Sequence, residues 1–205
     1  MKVCEIYDSI QGEGRFQGHP ATFVRLSGCN RNCKFCDTKY HKEHFDVSPS
    51  DLVNLLSHHS PDIVVWTGGE PLLQLEEMAT AILGSPFKLH HLESNGDLVR
   101  SVDDLQRLMC LFSYICFSPK DEKVAKRLHS LIKFFASDVD IKVVTDLEKV
   151  GVKLLPYATM IMPLTTRRPD RDSEIRKAVW YYCVKNNLFY SARLHIHVWE
   201  EERKR

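Results

Sequence analysis

The sequence has no excess of charge of either sign and no long apolar run. Its 28 lysine and arginine residues balance 27 aspartate and glutamate residues, and the formal net charge is +1. A protein that binds nucleic acid or an anionic membrane through its overall field needs a clear excess of positive charge, so we expect neither partner. No stretch approaches the roughly 18 apolar residues of a membrane-spanning helix.

The amino terminus also lacks the pattern of a secretory signal. Glu5, Asp8 and Glu13 fall within the first twenty residues, and no apolar run follows a basic start. We therefore expect a cytoplasmic protein. In that reducing compartment the seven cysteines favour metal or redox chemistry over disulfide bonds, because three of them lie within eight positions.

No internal repeat, linker or low-complexity segment divides the chain. At 205 residues it is long enough for one hydrophobic core, so we expect a single domain over residues 1–205. Runs of β-branched and aromatic residues alternate with helical patterns, which predicts βα units around a mainly parallel sheet. The predicted strands are residues 22–26, 63–67, 88–93, 114–117, 141–144 and 159–162. The predicted helices are residues 50–56, 72–83, 124–135 and 171–187.

About six such units are too few for a closed eight-stranded barrel. The length therefore predicts an α/β fold that is either a partial TIM-like barrel or an open doubly wound sheet. In both, ligands bind where the parallel strands end. Four polar or glycine-rich segments follow the first four predicted strands in turn, and we expect them to form one site. They are the cysteine segment 29–36, TGGEP at 67–71, ESNG at 93–96 and SPK at 118–120.

Three cysteines, Cys29, Cys33 and Cys36, are separated by three and then two residues. Three ligands are one too few for a closed tetrahedral site, whereas structural zinc and electron-transfer clusters usually take four protein ligands. A cluster held by only three cysteines keeps one iron open for a small molecule. A structural zinc site with His41 or Cys4 as fourth ligand remains an alternative.

This spacing, with Phe35 before the last cysteine, resembles the signature of the radical S-adenosylmethionine (SAM) superfamily. The resemblance implies a radical SAM core of about six βα units, with a 4Fe-4S cluster held by the three cysteines. SAM would chelate the fourth iron. One electron, from an external donor such as flavodoxin or ferredoxin, would then split SAM into methionine and a 5′-deoxyadenosyl radical that takes a hydrogen atom from the substrate.

The same resemblance implies that the segments after the other strands bind SAM. TGGEP resembles the family's GGEP segment, in which glycines admit the methionyl part of SAM and the carboxylate accepts from its ammonium group. A plain turn capped by Glu70 is the alternative. The implied SAM-binding residues are Gly68, Gly69, Glu70, Glu93, Asn95, Ser118, Pro119 and Lys120.

A narrower resemblance rests on the DSIQGEG segment at residues 8–14 and the CDT triplet at 36–38, together with the cysteine loop. These resemble the 7-carboxy-7-deazaguanine synthase family of the deazapurine pathway to queuosine, over about residues 6–142. The family implies that 6-carboxy-5,6,7,8-tetrahydropterin undergoes ring contraction to 7-carboxy-7-deazaguanine with loss of ammonia. It also implies a homodimer, and SAM that is regenerated after each turnover.

The residue chemistry agrees with a flat pterin substrate. Gln11 offers amide donors and an acceptor, and Glu13 can accept from an amino-pyrimidinone edge. Arg25 can grip a carboxylate, unless it is a surface arginine. The family uses Thr38 to hold Mg²⁺ near the substrate carboxylate, with a helix cap as the alternative role. The implied substrate-binding residues are Ile10, Gln11, Gly12, Glu13, Arg25, Thr67 and His195.

The resemblance weakens towards the carboxyl terminus. His195 aligns with a family histidine, but its neighbours in residues 193–197 differ, so a strand histidine without catalytic duty remains an alternative. Two other functions also remain open. One is a radical SAM activase that installs a glycyl radical on a partner protein, and the other is a zinc-stabilised binding module without catalysis.

Overall fold

The structure is a computed structural model that describes residues 1–33, 36, 43–133, 135 and 138–199. Its strands form one nine-stranded sheet in the order β3-β1-β2-β4-β5-β6-β7-β8-β9. The strands are β1 (Lys2–Ile10), β2 (Pro20–Leu26), β3 (Phe45–Asp46), β4 (Ile63–Gly68), β5 (Leu89–Ser94), β6 (Tyr114–Phe117), β7 (Val139–Thr145), β8 (Met160–Pro163) and β9 (Phe189–Tyr190).

The helices alternate with these strands. They are α1 (Pro49–Ser57), α2 (Leu75–Gly84), α3 (Val102–Leu111), α4 (Glu122–Ile132), α5 (Pro169–Asn186) and α6 (Leu194–Trp199), with 3₁₀ segments at Pro71–Gln74 and Val152–Tyr157. None of the helices in the described part of the chain is long and apolar enough to span a membrane.

The predicted α/β architecture is confirmed, and the sheet is open, with β3 and β9 at its edges. Strand β2 and strands β4 to β9 run parallel, while β1 runs antiparallel to both β2 and β3. All six predicted strands are present within two residues at each end. Strands β1, β3 and β9 and helices α3 and α6 were not predicted.

Short polar side chains fix where the helices begin. The Ser48 hydroxyl accepts from the Asp51 N–H at the start of α1, with Pro49 in the first turn. Asp121 accepts from the Val124 N–H in the same way at the start of α4. Because α4 follows β6, this cap places the Asp121 carboxylate at the pole where the parallel strands end.

The two faces of the sheet have different roles, because successive side chains of a strand point to opposite sides. One face packs in a single apolar cluster with α1 to α5, through strand residues that include Leu26, Trp66, Leu92 and Ile141. The opposite face carries a small apolar cluster of Ala21, Ile63 and Val65 near the strand starts. Polar side chains occupy this second face nearer the strand ends: Arg25, Thr67, Glu93 and Lys142.

A loop of residues 11–19, here called the amino-terminal loop, connects β1 to β2. Because β1 is antiparallel, this loop lies at the amino ends of the parallel strands. Its base is closed by two backbone hydrogen bonds, from the Gln11 N–H to the His19 carbonyl and from the Gly18 N–H to the Gln11 carbonyl, both of 2.8 Å. The DSIQGEG segment therefore approaches the second face from the pole opposite the cysteines.

Candidate active site

The cysteine loop follows β2 directly. The Arg31 N–H donates to Cys29 Sγ at 3.4 Å, and the Cys36 N–H donates to the Cys33 carbonyl at 3.2 Å. Burial raises the pKa of the Cys29 thiol; the Arg31 N–H opposes this rise, and Glu70, Cys33 and Cys36 add to it.

The donor set fits an iron-sulfur cluster. Thiolates are the soft ligands that such clusters take, and one sulfur here already accepts a backbone N–H, a contact that tunes clusters. Within the described residues, no three Cys, His, Asp or Glu side chains converge as a metal-binding group. Of the fourth ligands considered for zinc, Cys4 lies in β1, and His41 lies outside the described residues, as does Thr38.

The glycine pair after β4 packs against the base of the cysteine loop. The Gly69 N–H donates to the Leu26 carbonyl at 3.0 Å, and the Glu70 N–H donates to the Gly28 carbonyl at 2.8 Å. A Cβ atom at Gly69 would lie 1.9 Å from the Gly28 oxygen, and one at Gly68 would lie 2.1 Å from the Leu26 oxygen. The close approach that demands glycine here is between two backbone segments of the protein itself.

Glu70 is fully buried and joins the ends of β4 and β5. Its carboxylate accepts from the Leu72 N–H at 3.1 Å, the Ser94 hydroxyl at 2.7 Å and the Asn95 N–H at 2.8 Å. Glu70 thus caps the 3₁₀ segment Pro71–Gln74, as the turn interpretation predicted. A carboxylate has about four acceptor positions, so one remains, and the predicted contact with the SAM ammonium group stays a prediction.

An ionic clamp, which no motif predicted, ties the cysteine loop to the ends of β5 and β6. Arg31 donates to both carboxylate oxygens of Asp97 at 2.5 and 2.6 Å and to Asp121 at 2.5 Å. Asn30 donates to Asp97 at 3.1 Å and accepts from the Asn95 side chain at 2.8 Å. Of these five residues, only Asn95 was predicted to belong to the site.

A cluster of charges around a buried lysine, here called the buried charge cluster, lies on the second face of the sheet. The Lys142 side chain is 3% exposed, and its ammonium group contacts Glu13 Oε2 at 2.7 Å and Glu93 Oε2 at 2.9 Å, whose side chains are each 19% exposed. The other oxygen of Glu13 accepts from Arg193 Nε at 3.0 Å and lies 3.9 Å from His195 Nε2. The structure thus brings together Glu13, Glu93 and His195, which were predicted from the sequence, and adds Lys142 and Arg193, which were not.

These charges set the ionisation of one another. Burial disfavours the charged form of Glu13, but the positive charges of Lys142 and Arg193 outweigh it and lower the Glu13 pKa. For Glu93, which touches only one of these cations, burial dominates and raises the pKa. Burial also disfavours the charged form of Lys142, yet the two carboxylates outweigh it and raise the Lys142 pKa well above its usual value.

The carboxyl-terminal segment closes over the amino-terminal loop. The Gly12 carbonyl accepts from the Leu194 N–H at 2.9 Å, and the Gly14 N–H donates to the Ser191 hydroxyl at 2.8 Å. A Cβ atom at Gly12 would lie 2.3 Å from His195 Nδ1, so a larger residue at this loop position would require the His195 ring to move. His195 lies in α6, which shows that the interpretation as a strand histidine is wrong.

Arg25 is held by two side chains of β1. Its Nε donates to Glu5 Oε1 at 2.7 Å, and its Nη2 donates to the Tyr7 hydroxyl at 3.3 Å. The Arg25 side chain is only 15% exposed, so it is not a surface arginine. Its neighbour across the parallel pairing of β2 and β4 is Thr67.

The remaining predicted substrate-binding residues lie where β1 becomes the amino-terminal loop. Gln11 is buried, and its side-chain oxygen accepts from the Glu13 N–H at 3.2 Å. Ile10 is the last residue of β1 and is 45% exposed.

The predicted SAM-binding segment SPK follows β6. The Ser118 N–H donates to the Ser94 carbonyl at 2.7 Å, which aligns the ends of β5 and β6. Pro119 is buried and Lys120 is partly buried, directly before the helix cap Asp121.

Comparison with known proteins identifies the family. A model of the radical SAM superfamily matches residues 23–155, which is more than half of the chain. A 7-carboxy-7-deazaguanine synthase from Hyperthermus butylicus is 34% identical over 96% of this chain and 92% of its own length. A second, from Pyrobaculum aerophilum, is 31% identical over 99% and 96%. The chain belongs to the 7-carboxy-7-deazaguanine synthase family of the radical SAM superfamily.

A solved structure shares the fold of this radical SAM protein. The crystal structure of QueE from Escherichia coli matches it with a TM-score of 0.67 over 93% of this chain and 92% of that one, at 19% identity. Membership of the superfamily implies that the chain uses a 4Fe-4S cluster and SAM. This rules out the zinc-stabilised binding module as an explanation of the cysteine loop.

We expect the ionic clamp to hold the cysteine loop in place before any cluster binds. Arg31→Gln removes a partly buried bidentate contact, so amides of residues 27–33 in the cluster-free protein should exchange with solvent roughly tenfold faster. Hydrogen exchange read by mass spectrometry measures this. The matched control is Arg107→Gln, which breaks the ion pair between Arg107 and Glu76. The side chains of these two residues are 50% and 78% exposed. Equal exchange in the two variants would contradict the role of the clamp.

Proposed function

We propose that this chain converts 6-carboxy-5,6,7,8-tetrahydropterin to 7-carboxy-7-deazaguanine by ring contraction with loss of ammonia, as a step towards queuosine or another deazapurine. Two relatives that match nearly the whole chain carry the name of this activity. The observation in the structure that carries the proposal is the Glu13 carboxylate, enclosed by Lys142, Arg193 and His195 on the face of the sheet opposite α1 to α5.

The cysteine pole would hold the cofactors. Together, the bound cluster and SAM supply the radical that removes a hydrogen atom from the substrate. In this proposal Cys29, Cys33 and Cys36 bind the cluster. The residues proposed to bind SAM are Gly68, Gly69, Glu70, Glu93, Asn95, Ser118, Pro119 and Lys120.

The second face would hold the pterin. Glu13 would accept hydrogen bonds from the amino-pyrimidinone edge, next to the Gln11 amide, because an ionised carboxylate only accepts. His195 and Gly12 would close this end of the pocket, as their contact in the structure suggests. Arg25 and Thr67, neighbours near the strand ends, would face the substrate carboxylate, with Mg²⁺ held by Thr38. Ile10 would border the pocket at the end of β1.

The interaction partners of the enzyme are part of the same proposal. We propose a single-domain, cytoplasmic homodimer that receives electrons from a flavodoxin or a ferredoxin. The near-zero net charge supports the absence of a nucleic-acid partner.

The test is a product analysis under anaerobic conditions. The reconstituted enzyme, with reductant, SAM, Mg²⁺ and the carboxytetrahydropterin, is expected to release 7-carboxy-7-deazaguanine and ammonia while SAM is not consumed in proportion to product. Omitting Mg²⁺ should slow the reaction. If no deazaguanine forms while a glycyl radical appears on a partner protein, the chain is an activase and the proposal is wrong.

A further inference from the structure

Lys142 is the central residue of the buried charge cluster, and its role is not explained by any sequence motif. It lies on β7, is 3% exposed, and reaches carboxylates from two different elements: Glu13 from the amino-terminal loop and Glu93 from β5. We propose that Lys142 is a positioning residue that keeps Glu13 ionised and oriented as a hydrogen-bond acceptor for the pterin. This inference rests on the proposed function, because it assigns Glu13 to the substrate.

The physical reason is the proximity of two like charges. Glu13 and Glu93 both contact the same nitrogen atom, so they are neighbours, and each side chain is only 19% exposed. Without Lys142, the pair would keep only the Arg193 contact of Glu13, and two such close carboxylates would share one proton. In the fraction of molecules where Glu13 carries that proton, it would present a donor where the pterin amino group also presents donors, and the contact would be lost.

The other charged or titratable groups near Lys142 cannot replace it. Arg193 and His195, from the carboxyl-terminal segment, approach the other oxygen of Glu13. Asp140 on β7 already accepts from Tyr114 at 2.8 Å and from Thr159 at 2.7 Å, and it pairs with Arg15.

Cys116, on β6, also faces this site. Burial raises the pKa of its thiol well above the usual value, so it stays neutral and adds no charge. Lys142 is thus the cation that joins Glu13 to Glu93.

The chemistry of lysine suits this position. An ammonium group is a compact charge with three donors, so it can serve two carboxylates that arrive from different directions. The flat guanidinium fork of arginine is suited instead to a single carboxylate, which it holds with two parallel bonds. Lysine therefore couples Glu13 and Glu93 without aligning them in one plane.

The test compares Lys142→Met with the double variant Lys142→Met/Glu93→Gln, which also removes the competing acid. The probe is the carboxytetrahydropterin, titrated anaerobically into enzyme that carries cluster, SAM and Mg²⁺ without reductant, between pH 6 and pH 9. Wild-type affinity should vary little over this range, because Glu13 is already ionised. Lys142→Met should bind about tenfold or more weakly at pH 6.5 and recover as pH rises and the pair loses its proton. The double variant should lose this pH dependence.

Two results would overturn the proposal. One is a pH profile of Lys142→Met that parallels the wild type, which would indicate a packing role alone. The other is a double variant with the same pH slope as the single variant. If Lys142→Met does not fold, recovery of folded protein on adding Glu93→Gln supports the charge role, and failure to recover it overturns that role.

Stability measurements separate this proposal from the proposed function. In Lys142→Met the folded-state pKa of one carboxyl group rises further above its unfolded value than in the wild type, and such a group loses its contribution to stability as pH rises through the folded pKa. The free energy of unfolding of the cluster-free variant should therefore fall further below that of the wild type as the pH rises from 5 to 9. For the double variant, the difference from the wild type should stay constant. If wild-type enzyme binds no pterin but the widening difference of the single variant is seen, the substrate is wrong and the charge role of Lys142 is retained.

Discussion

Gly69→Ala is expected to lower the free energy of unfolding by about 3 kcal/mol or more, since overpacking of rigid atoms costs roughly 1–3 kcal/mol and occasionally more. The new methyl group would lie 1.9 Å from the Gly28 carbonyl oxygen and 2.9 Å from Cys29 Cβ. Neither neighbour is the end of a flexible side chain, so relief requires that β4 and the cysteine loop move apart. That movement would also displace Cys29, and we expect the variant to take up iron and sulfide poorly.

The matched control is Gly18→Ala in the amino-terminal loop. Gly18 has a φ of +94°, and no atom lies within 4 Å of the position that a Cβ atom would take, so alanine there carries a backbone cost of about 1 kcal/mol without a clash. Urea denaturation of the cluster-free proteins measures both costs, and iron and sulfide analysis after reconstitution measures loading. Equal losses of stability in the two variants would show that the contact between Gly69 and Gly28 is not tight.

The parallel strands β2 and β4 to β8 could be predicted because burial makes much of each one an apolar run. Strand β6, with all four residues buried, was predicted with its observed bounds. Strand β1 was missed because its buried positions include Glu5, whose partner Arg25 is twenty residues away. Helix α3 was missed although it carries a capping box, Ser101 with Asp104, which is a sequence signal for a helix start that does not depend on apolar periodicity.

The site was predictable where its residues form local motifs, and not where distant side chains meet. The cysteine loop and the glycine pair are contiguous segments, and parallel topology brings them to one pole. The contact of Lys142 with Glu13 spans 129 positions, and that of Arg31 with Asp121 spans 90. Such pairs depend on the strand order and on the register of each strand, neither of which a single sequence reveals.

The antiparallel direction of β1 has the largest consequence for the site. If β1 ran parallel to the other strands, the loop that follows it would lie at the carboxyl ends of the strands. The DSIQGEG segment would then lie beside the cysteines. The structure places it at the opposite pole, with Glu13 directed towards Lys142. The motifs proposed to bind cofactors and substrate therefore approach the second face of the sheet from its two ends, with the reacting atoms expected between them.

Replacement of any one of the three cysteines proposed to bind the cluster, such as Cys33→Ala, is expected to lower product formation to about 1% of wild type or less, because the cofactors supply the radical chemistry. Three thiols are the donor set of the loop, and alanine leaves the cluster with two protein ligands. The absorbance of the reconstituted cluster and the change in the reduced-cluster resonance on addition of SAM should be lost together. Product analysis and resonance spectra of the same sample measure both.

Cys110→Ala is the matched control for this loss. Cys110 is an exposed thiol on α3, outside the cysteine loop, so the same change of side chain should leave iron content, the SAM-dependent resonance and product formation near the wild-type values. A fourth side chain bound to the iron that SAM needs would block SAM in the wild-type protein, and it would let Cys33→Ala keep its cluster on three protein ligands. Retained iron in Cys33→Ala, together with no SAM-dependent change in the wild type, would therefore contradict a cluster with one open iron, whereas loss of iron and of the SAM-dependent change in the variant supports it.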